Sequence, residues 1–342
     1  MLKKIAVLGS GANGASIGAD LTKAGHDVVL IDQWPEHVQA MRRRGIRIEM
    51  PDMTLELPVQ AFNLCDVCTF TERFDIVLLL MKAYDTRWSC QFIEPYLKPD
   101  GLIAGVQNGM TTDTIAEVVG LGRTMGCVIE ISSMMFDPGV VERHSSPARS
   151  WFAVGAVDAA TKGRESEIAD LLRHSGTVEI VDDIRGTKWM KLVSNATTLV
   201  STALVGLSMH EAVALPGMRE LMVQAGQEAL DIGTALGHPV RPIFGMKPDE
   251  MRRSNRLVET MLDTLLAGFT LPHTKTTVLQ DWMKGRRSEV DDLNGLVAAE
   301  AARLGRAAPV NAAIADLAHR VEQGTVKPSP SNLRALQDLV WR

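Results

Sequence analysis

The apolar positions of roughly the first hundred residues fall into two alternating patterns. Short continuous runs at 5–8, 28–31, 76–81 and 102–106 are separated by stretches with helical spacing, among them 14–23 and 88–97. Continuous apolar strands bounded by helices are what a parallel sheet covered on both faces produces, so a strand-helix-strand order is predicted. The helix at 88–97 is expected to stop at Lys98-Pro99-Asp100-Gly101. From about residue 124 to 184 the pattern turns β-rich, with runs at 127–135, 140–144, 150–157 and 178–181 that read as outer strands of the same sheet. After Trp189 nearly everything has helical periodicity, and Lys327-Pro328-Ser329-Pro330-Ser331 reads as a turn before a last short helix.

A chain of 342 residues with 46% hydrophobic content can bury a large core, and its length favours two domains. The pattern change places the boundary near Asp183 to Gly186. The net charge of -5 leaves no basic footprint for nucleic acid. The opening apolar run is too short for a signal peptide, and no stretch reaches membrane-spanning length. Four cysteines do not make a disulfide framework in a chain of this size, which suits a reducing cytoplasm. Cys65-Asp66-Val67-Cys68 has neither the second pair nor the histidines of a zinc site, nor the strand-to-helix setting of a redox motif. No metal site is expected.

The first strand runs straight into Gly9-Ser10-Gly11-Ala12-Asn13-Gly14, which opens a helix. In that setting Gly9 permits the tight turn, Gly11 the approach of a pyrophosphate to the helix N-terminus, and Gly14 the packing of helix on strand. Ala12 and Asn13 complete the same cofactor-binding turn. Asp32, at the end of the second strand, would accept hydrogen bonds from ribose hydroxyls and repel a 2′-phosphate, favouring NAD over NADP. Its plainer role is to cap the turn before Pro35. Arg42, Arg43 and Arg44 read as the solvated end of a helix, close enough in sequence to bear on that choice. The fold class expected is therefore α/β: a Rossmann-type dinucleotide-binding domain over 1–184 and an all-α C-terminal catalytic and substrate domain over 185–342.

Four further segments carry chemistry: Met81-Lys82-Ala83, Gln107-Asn108-Gly109-Met110, Trp189-Met190-Lys191-Leu192-Val193-Ser194-Asn195, and Thr276-Thr277-Val278-Leu279-Gln280-Asp281 leading to Arg287-Ser288-Glu289 and Asn294-Gly295. Together, with Gly305 and Pro309-Val310-Asn311 beyond them, they resemble the ketopantoate reductase (2-dehydropantoate 2-reductase) family over nearly the whole chain. The resemblance implies a 6-phosphogluconate-dehydrogenase-like architecture with the active site in the cleft. It assigns the general-acid role to Lys191 and makes Glu289 the catalytic-site glutamate, which would bind the substrate hydroxyl or orient Lys191. Lys191 and Asn195 stand four apart in a helical segment, so they share a face. A lysine there can polarise a substrate carbonyl and donate a proton as hydride arrives at carbon. Taken alone, Lys191 reads as a surface charge and Glu289 as an exposed helix acid beside Arg286 and Arg287. Asn108 and Lys82 follow strands at the carboxyl edge, where parallel sheets bind ligands; Asn108 would contact nicotinamide or substrate, and Lys82 the cofactor ribose or a substrate carboxylate. Asn108 alone also reads as an Asn-Gly turn.

Two positions depart from the family. Thr277 stands where serine usually helps hold the substrate carboxylate, and keeps the hydroxyl. Leu199, one turn past Asn195, replaces a second substrate-binding asparagine, which argues for an apolar group on the substrate at that point. Family members usually use NADPH with a basic residue where this chain has Asp32-Gln33. The leading expectation is an NAD(P)-dependent oxidoreductase acting between 2-dehydropantoate and pantoate, or a related small 2-keto/2-hydroxy acid pair. Alternatives are an NAD-dependent D-2-hydroxyacid dehydrogenase on a more apolar substrate and a non-catalytic dinucleotide-sensing protein. A homodimer suits the implied architecture, although no residue marks an interface.

Overall fold

The computed structural model describes residues 2–247, 251 and 256–341. The chain divides into two compact units, Met1–Arg185 and Gly186–Arg342. The strands of the first are β1 (Lys4–Leu8), β2 (Asp27–Asp32), β3 (Ile46–Glu49), β4 (Thr54–Leu57), β5 (Gln60–Asn63), β6 (Phe74–Leu79), β7 (Leu97–Val106), β8 (Thr124–Glu130), β9 (Ser133–Met134), β10 (Val140–Arg143), β11 (Trp151–Ala156) and β12 (Thr177–Ile180). Its helices are α1 (Ala12–Lys23), α2 (Pro35–Arg44), α3 (Thr86–Ile93), α4 (Thr112–Val119) and α5 (Glu165–Leu172).

Eight strands form one sheet in the order β12-β11-β8-β7-β6-β1-β2-β5, parallel except where β11 runs antiparallel to β8. Successive residues of β1 serve opposite faces. Ile5 and Val7 pack with Ile17 and Leu21 of α1, whereas Ala6 and Leu8 pack with Cys90 and Ile93 of α3 and Ile115 of α4. A strand buried on both faces has no polar positions to alternate, which explains its continuous apolar run. The chain passes from β1 to β2 on one side and returns to β6 on the other. The carboxyl end of β1 therefore lies at the topological switch point, where such sheets bind ligands.

Two expectations need correction. The runs at 127–135 and 140–144 do not both extend the main sheet, because the chain turns out of it at Ser132. The Ser132 carbonyl accepts the His144 and Ser145 N–H groups, and its own N–H donates to Ser145 Oγ at 2.9 Å. β9 and β10 consequently join β3 and β4 in a separate four-stranded sheet, in the order β4-β3-β10-β9. Second, α3 gives way at Ile93 to a 3-10 turn, and Lys98-Pro99-Asp100-Gly101 lies inside β7 rather than ending a helix. The pairing steps from Phe74↔Leu97 to Ile76↔Leu102, so these residues form a bulge in which Pro99 has no ladder bond to lose.

The small sheet is fastened to α1 by a buried ion pair. Arg143, fully buried, donates to Asp20 Oδ2 at 2.7 Å, to the Ser145 and Ser175 carbonyls at 2.8 and 2.7 Å, and to Ser150 Oγ at 3.1 Å.

In the second unit the helices are α6 (Ile184–Val205, which starts two residues before the unit boundary), α7 (Met209–Val213), α8 (Met218–Ala235), α9 (Leu257–Phe269), α10 (Thr277–Met283), α11 (Asn294–Arg303), α12 (Pro309–Glu322) and α13 (Ser331–Val340). α8 lies close against α6 through Gly226 and Gly233, two turns apart. A Cβ at Gly226 would overlap Thr197 Oγ1, and one at Gly233 would overlap the Trp189 indole. Trp189 Nε1 donates to the Ala229 carbonyl at 2.9 Å across the same contact. No helix among the described residues is long and apolar enough to cross a membrane.

Removing one partner of a buried pair strands the other charge. Asp20→Ala is expected to cost about 3–5 kcal/mol of stability, measured by urea unfolding. A loss below about 1 kcal/mol would show that Arg143 is satisfied without Asp20.

Candidate active site

The glycine turn is built for close approach. Gly9 has φ +94°, and a Cβ there would sit 2.6 Å from the Met81 nitrogen; a Cβ at Gly14 would overlap the Gly9 carbonyl oxygen. At Gly11 the opposite holds, since a Cβ would meet nothing within 4 Å. Gly11 is also the N-cap of α1, with no side-chain cap and no acidic residue in the first turn. An uncapped helix N-terminus facing open space suits a phosphate group. The residues present therefore fit a dinucleotide.

Three contacts brace this turn. His37, fully buried and stacked on Trp34, bonds the Ser10 carbonyl through Nε2 at 2.9 Å, while its Nδ1 accepts the Gly139 N–H at 2.9 Å. That pairing requires the Nε2–H tautomer. Asn13 Oδ1 accepts from Ser133 Oγ at 2.6 Å, joining the first turn of α1 to the small sheet. Gln107 donates from Nε2 to the Met81 carbonyl at 2.6 Å and to Thr86 Oγ1 at 3.1 Å, tying the loops after β6 and β7 together. Lys82 and Asn108, both partly buried, lie on those two loops.

Asp32 is 7% exposed at the last position of β2, and its Oδ1 accepts the Trp34 N–H at 2.8 Å, so the capping role is realised. Arg42, Arg43 and Arg44 occupy the last turn of α2. Arg42 bonds the Ala61 carbonyl and Asp66, Arg43 bonds Gln39, and Arg44 bonds the Pro138 carbonyl.

In the helical unit, Lys191 and Asn195 lie in the interior of α6 at 8% and 1% exposure, so the surface-charge reading of the lysine does not hold. Lys191 Nζ stands 5.2 Å from the centroid of the Phe244 ring. Two other candidate segments are tied to the same helix. Thr276 Oγ1 donates to the Leu199 carbonyl at 2.9 Å, setting Thr277 at the start of α10 beside it; Leu199 is half-buried. Asn294 Nδ2 donates to the Ala196 carbonyl at 3.0 Å and to Asn311 Oδ1 at 2.9 Å, which brings in the segment carrying Glu289. Asn311 in turn donates to Glu228, whose carboxylate also accepts the N–H groups of Val310 and Asn311 at the start of α12. Glu289 is buried at 4% exposure and precedes a 3-10 turn, Val290–Asp292, instead of lying on an exposed helix. The Thr277 hydroxyl oxygen is buried with no hydrogen-bond partner among the described residues. A buried orphan hydroxyl fits a group that accepts a ligand.

The family can now be read from comparison. The family profile "Ketopantoate reductase PanE/ApbA" matches residues 5–157, and its companion "Ketopantoate reductase PanE/ApbA C terminal" matches 183–322. The chain belongs to the ketopantoate reductase family. It is thus an oxidoreductase of the NAD(P)-dependent kind. Among similar proteins, the 2-dehydropantoate 2-reductase of Archaeoglobus fulgidus is 24% identical over 94% of this chain and 99% of its own. That of Pyrococcus horikoshii is 25% identical over 90% and 94%. A PanE/ApbA family ketopantoate reductase from Ralstonia eutropha JMP134 superposes with a TM-score of 0.78 at 25% identity, covering 94% and 99% of the two chains. D-mandelate dehydrogenase, solved with NADH and anilino(oxo)acetate, gives 0.81 at 21% identity with the same coverage, a likeness of fold.

Sequence reasoning passed over three residues of this family member. Phe244 is silent because nothing marks an aromatic in a loop as a partner for a lysine. His37 reads as an ordinary residue of an amphipathic helix. Asp292 lies among several charges, yet burial first and the neighbouring Glu289 carboxylate second push its carboxyl up to about 6, against the pull of Arg287.

A carboxyl whose folded value is raised contributes stability below its unfolded value and loses it as pH rises through the folded one. Asp292→Asn, which imitates the protonated acid, should therefore match the wild type near pH 4 and become more stable above pH 6. After solvent screening the gap should be about 1 kcal/mol. Thermal unfolding of both proteins from pH 4 to 8 measures it, and parallel curves would refute the raised value.

Proposed function

We propose that this family member transfers hydride between a nicotinamide dinucleotide and a small 2-keto or 2-hydroxy acid, with Lys191 as the general acid. The observation that carries the reading is the burial of Lys191 and Asn195, one turn apart on α6, with the other candidate segments tied to the same helix. Thr276 and Asn294 make those ties, for the segments of Thr277 and Glu289. Met1–Arg185 serves as the cofactor domain, through Gly9, Gly11, Ala12, Asn13, Gly14, Asp32, Lys82 and Asn108; Gly186–Arg342 serves as the substrate domain. In the direction of reduction the bound dinucleotide supplies a hydride to the keto carbon. As the carbonyl π pair moves onto oxygen, the Lys191 ammonium hydrogen-bonds the developing alkoxide and gives it a proton, leaving a 2-hydroxy acid and a neutral amine that recovers its proton from solvent. Asn195 and Glu289 hold the reacting oxygen, and Thr277 donates to the substrate carboxylate.

Lys191→Ala should lower kcat by about 100-fold or more while the dissociation constant for dinucleotide, followed by nicotinamide fluorescence, stays within about two-fold. Undiminished turnover would remove Lys191 from the mechanism.

Asp32 favours NAD in this reading. A carboxylate at the end of β2 repels a 2′-phosphate, and the three arginines of α2 are each engaged elsewhere. Leu199 favours a second reading for the substrate, a more apolar 2-keto acid than 2-dehydropantoate, because it offers no hydrogen bond to a polar one. The same fold houses a D-mandelate dehydrogenase bound to NADH, which is compatible with that choice. Steady-state assays with NADH and NADPH against 2-dehydropantoate, phenylpyruvate and branched 2-keto acids separate the readings. Higher kcat/KM with NADH and with the apolar acids is expected. Preference for NADPH sinks the Asp32 argument, and preference for 2-dehydropantoate sinks the one from Leu199.

A further inference from the structure

Phe244 has a backbone that its residue type disfavours. At φ +60° it is the one non-glycine residue with positive φ among those described, and it precedes Gly245 at φ +72°. The Met246 N–H closes the turn onto the Ile243 carbonyl at 3.0 Å. Consecutive left-handed residues make a turn of the mirror-image type, whose first central position normally carries glycine, asparagine or aspartate. A bulky aromatic there is a strained exception, and such strain persists only where surrounding structure holds it.

The strain has an evident return. Its ring is 7% exposed, packs on Phe269 at 5.3 Å between centroids, and presents a face to Lys191 with Nζ 5.2 Å from its centre. An ammonium within about 6 Å of an aromatic centroid is attracted by the ring quadrupole, more strongly where water is excluded. Lys191 is itself buried, which meets that condition.

We infer that Phe244 is a positioning residue for the active-site lysine: the strained turn aims its aromatic face at Lys191 and fixes the ammonium that donates the proton. This rests on the general-acid reading of Lys191. A residue that merely filled the core would not need an aromatic face, and leucine would serve at that site nearly as well.

Phe244→Leu and Phe244→Tyr, studied beside Lys191→Ala in the full chain, separate these possibilities. Phe244→Leu is expected to lower kcat about 10-fold with dinucleotide KM unchanged, and Phe244→Tyr, which keeps the face, should restore at least half of the wild-type kcat. Independently of activity, protein labelled with 13C at lysine Cε should show a ring-current shift of the Lys191 methylene resonance, assigned through Lys191→Arg. That shift should vanish in Phe244→Leu and persist in Phe244→Tyr. Wild-type kcat in Phe244→Leu, or a Lys191 resonance indifferent to the ring, overturns the inference. Undiminished turnover in Lys191→Ala, with the ring-current shift present in the wild type, removes the general-acid reading and with it the catalytic purpose of Phe244, while leaving the contact in place.

Discussion

How near α1 can come to the end of β1 governs the first unit. The α-carbon of Gly14 lies so close to the Gly9 carbonyl that any side chain would push the helix away, and the open space at Gly11 exists only while the helix stays down. The rest of that unit maintains this spacing. Val7 and Leu30 pack with Ile17 beneath it, His37 and Asn13 lock the turn to the small sheet, and Arg143 holds the far part of the helix through Asp20. The second sheet, which looks peripheral in the topology, is thus a clamp on the helix that follows the glycine turn.

The helical unit solves a different problem, that of keeping polar groups inside a packed bundle. α6 carries lysine, asparagine, serine and threonine at buried positions, and the hydroxyls of Thr197, Thr198, Ser201 and Thr202 each bond a carbonyl one turn back. Asn294 Nδ2 donates to Asn311 Oδ1 and the Ala196 carbonyl, and Asn311 Nδ2 to the Ala225 carbonyl and Glu228, while Asn294 Oδ1 is buried with no hydrogen-bond partner among the described residues. Lys191, buried on the same helix α6, has the face of the Phe244 ring as part of its surroundings, with Nζ 5.2 Å from the centroid.

Much of this was legible along the chain because the constraints are local. The glycines follow a strand and open a helix within a few residues, Asp32 ends the next strand, and Lys191 and Asn195 have helical spacing. What escaped was set by distant partners. β3 is alternately buried and exposed, and besides its neighbour β4 it pairs with β10, about ninety residues on, which nothing nearby in the sequence announces. Pro99 and Gly101 are strong breakers, yet the bulge against β6 absorbs both. Glu289 is singled out by the family resemblance, whereas its neighbours Arg286 and Arg287 alone point to an exposed helix acid; it is buried, on a segment that Asn294 ties to α6. The Phe244 turn left only Gly245 as a trace.

Arg143 and Asp20 have a consequence for how such a chain can change over time. The two residues lie 123 positions apart, and each is buried with the other as its charge partner. Loss of either alone strands a charge in the interior, whereas joint replacement by apolar residues of matching volume need not weaken the fold. The positions therefore form a single inherited unit: relatives should carry both or neither, and a lineage passing from one state to the other must cross an unstable intermediate. The helix that shapes the glycine turn is in this sense written in two separate places in the chain, and neither can drift on its own.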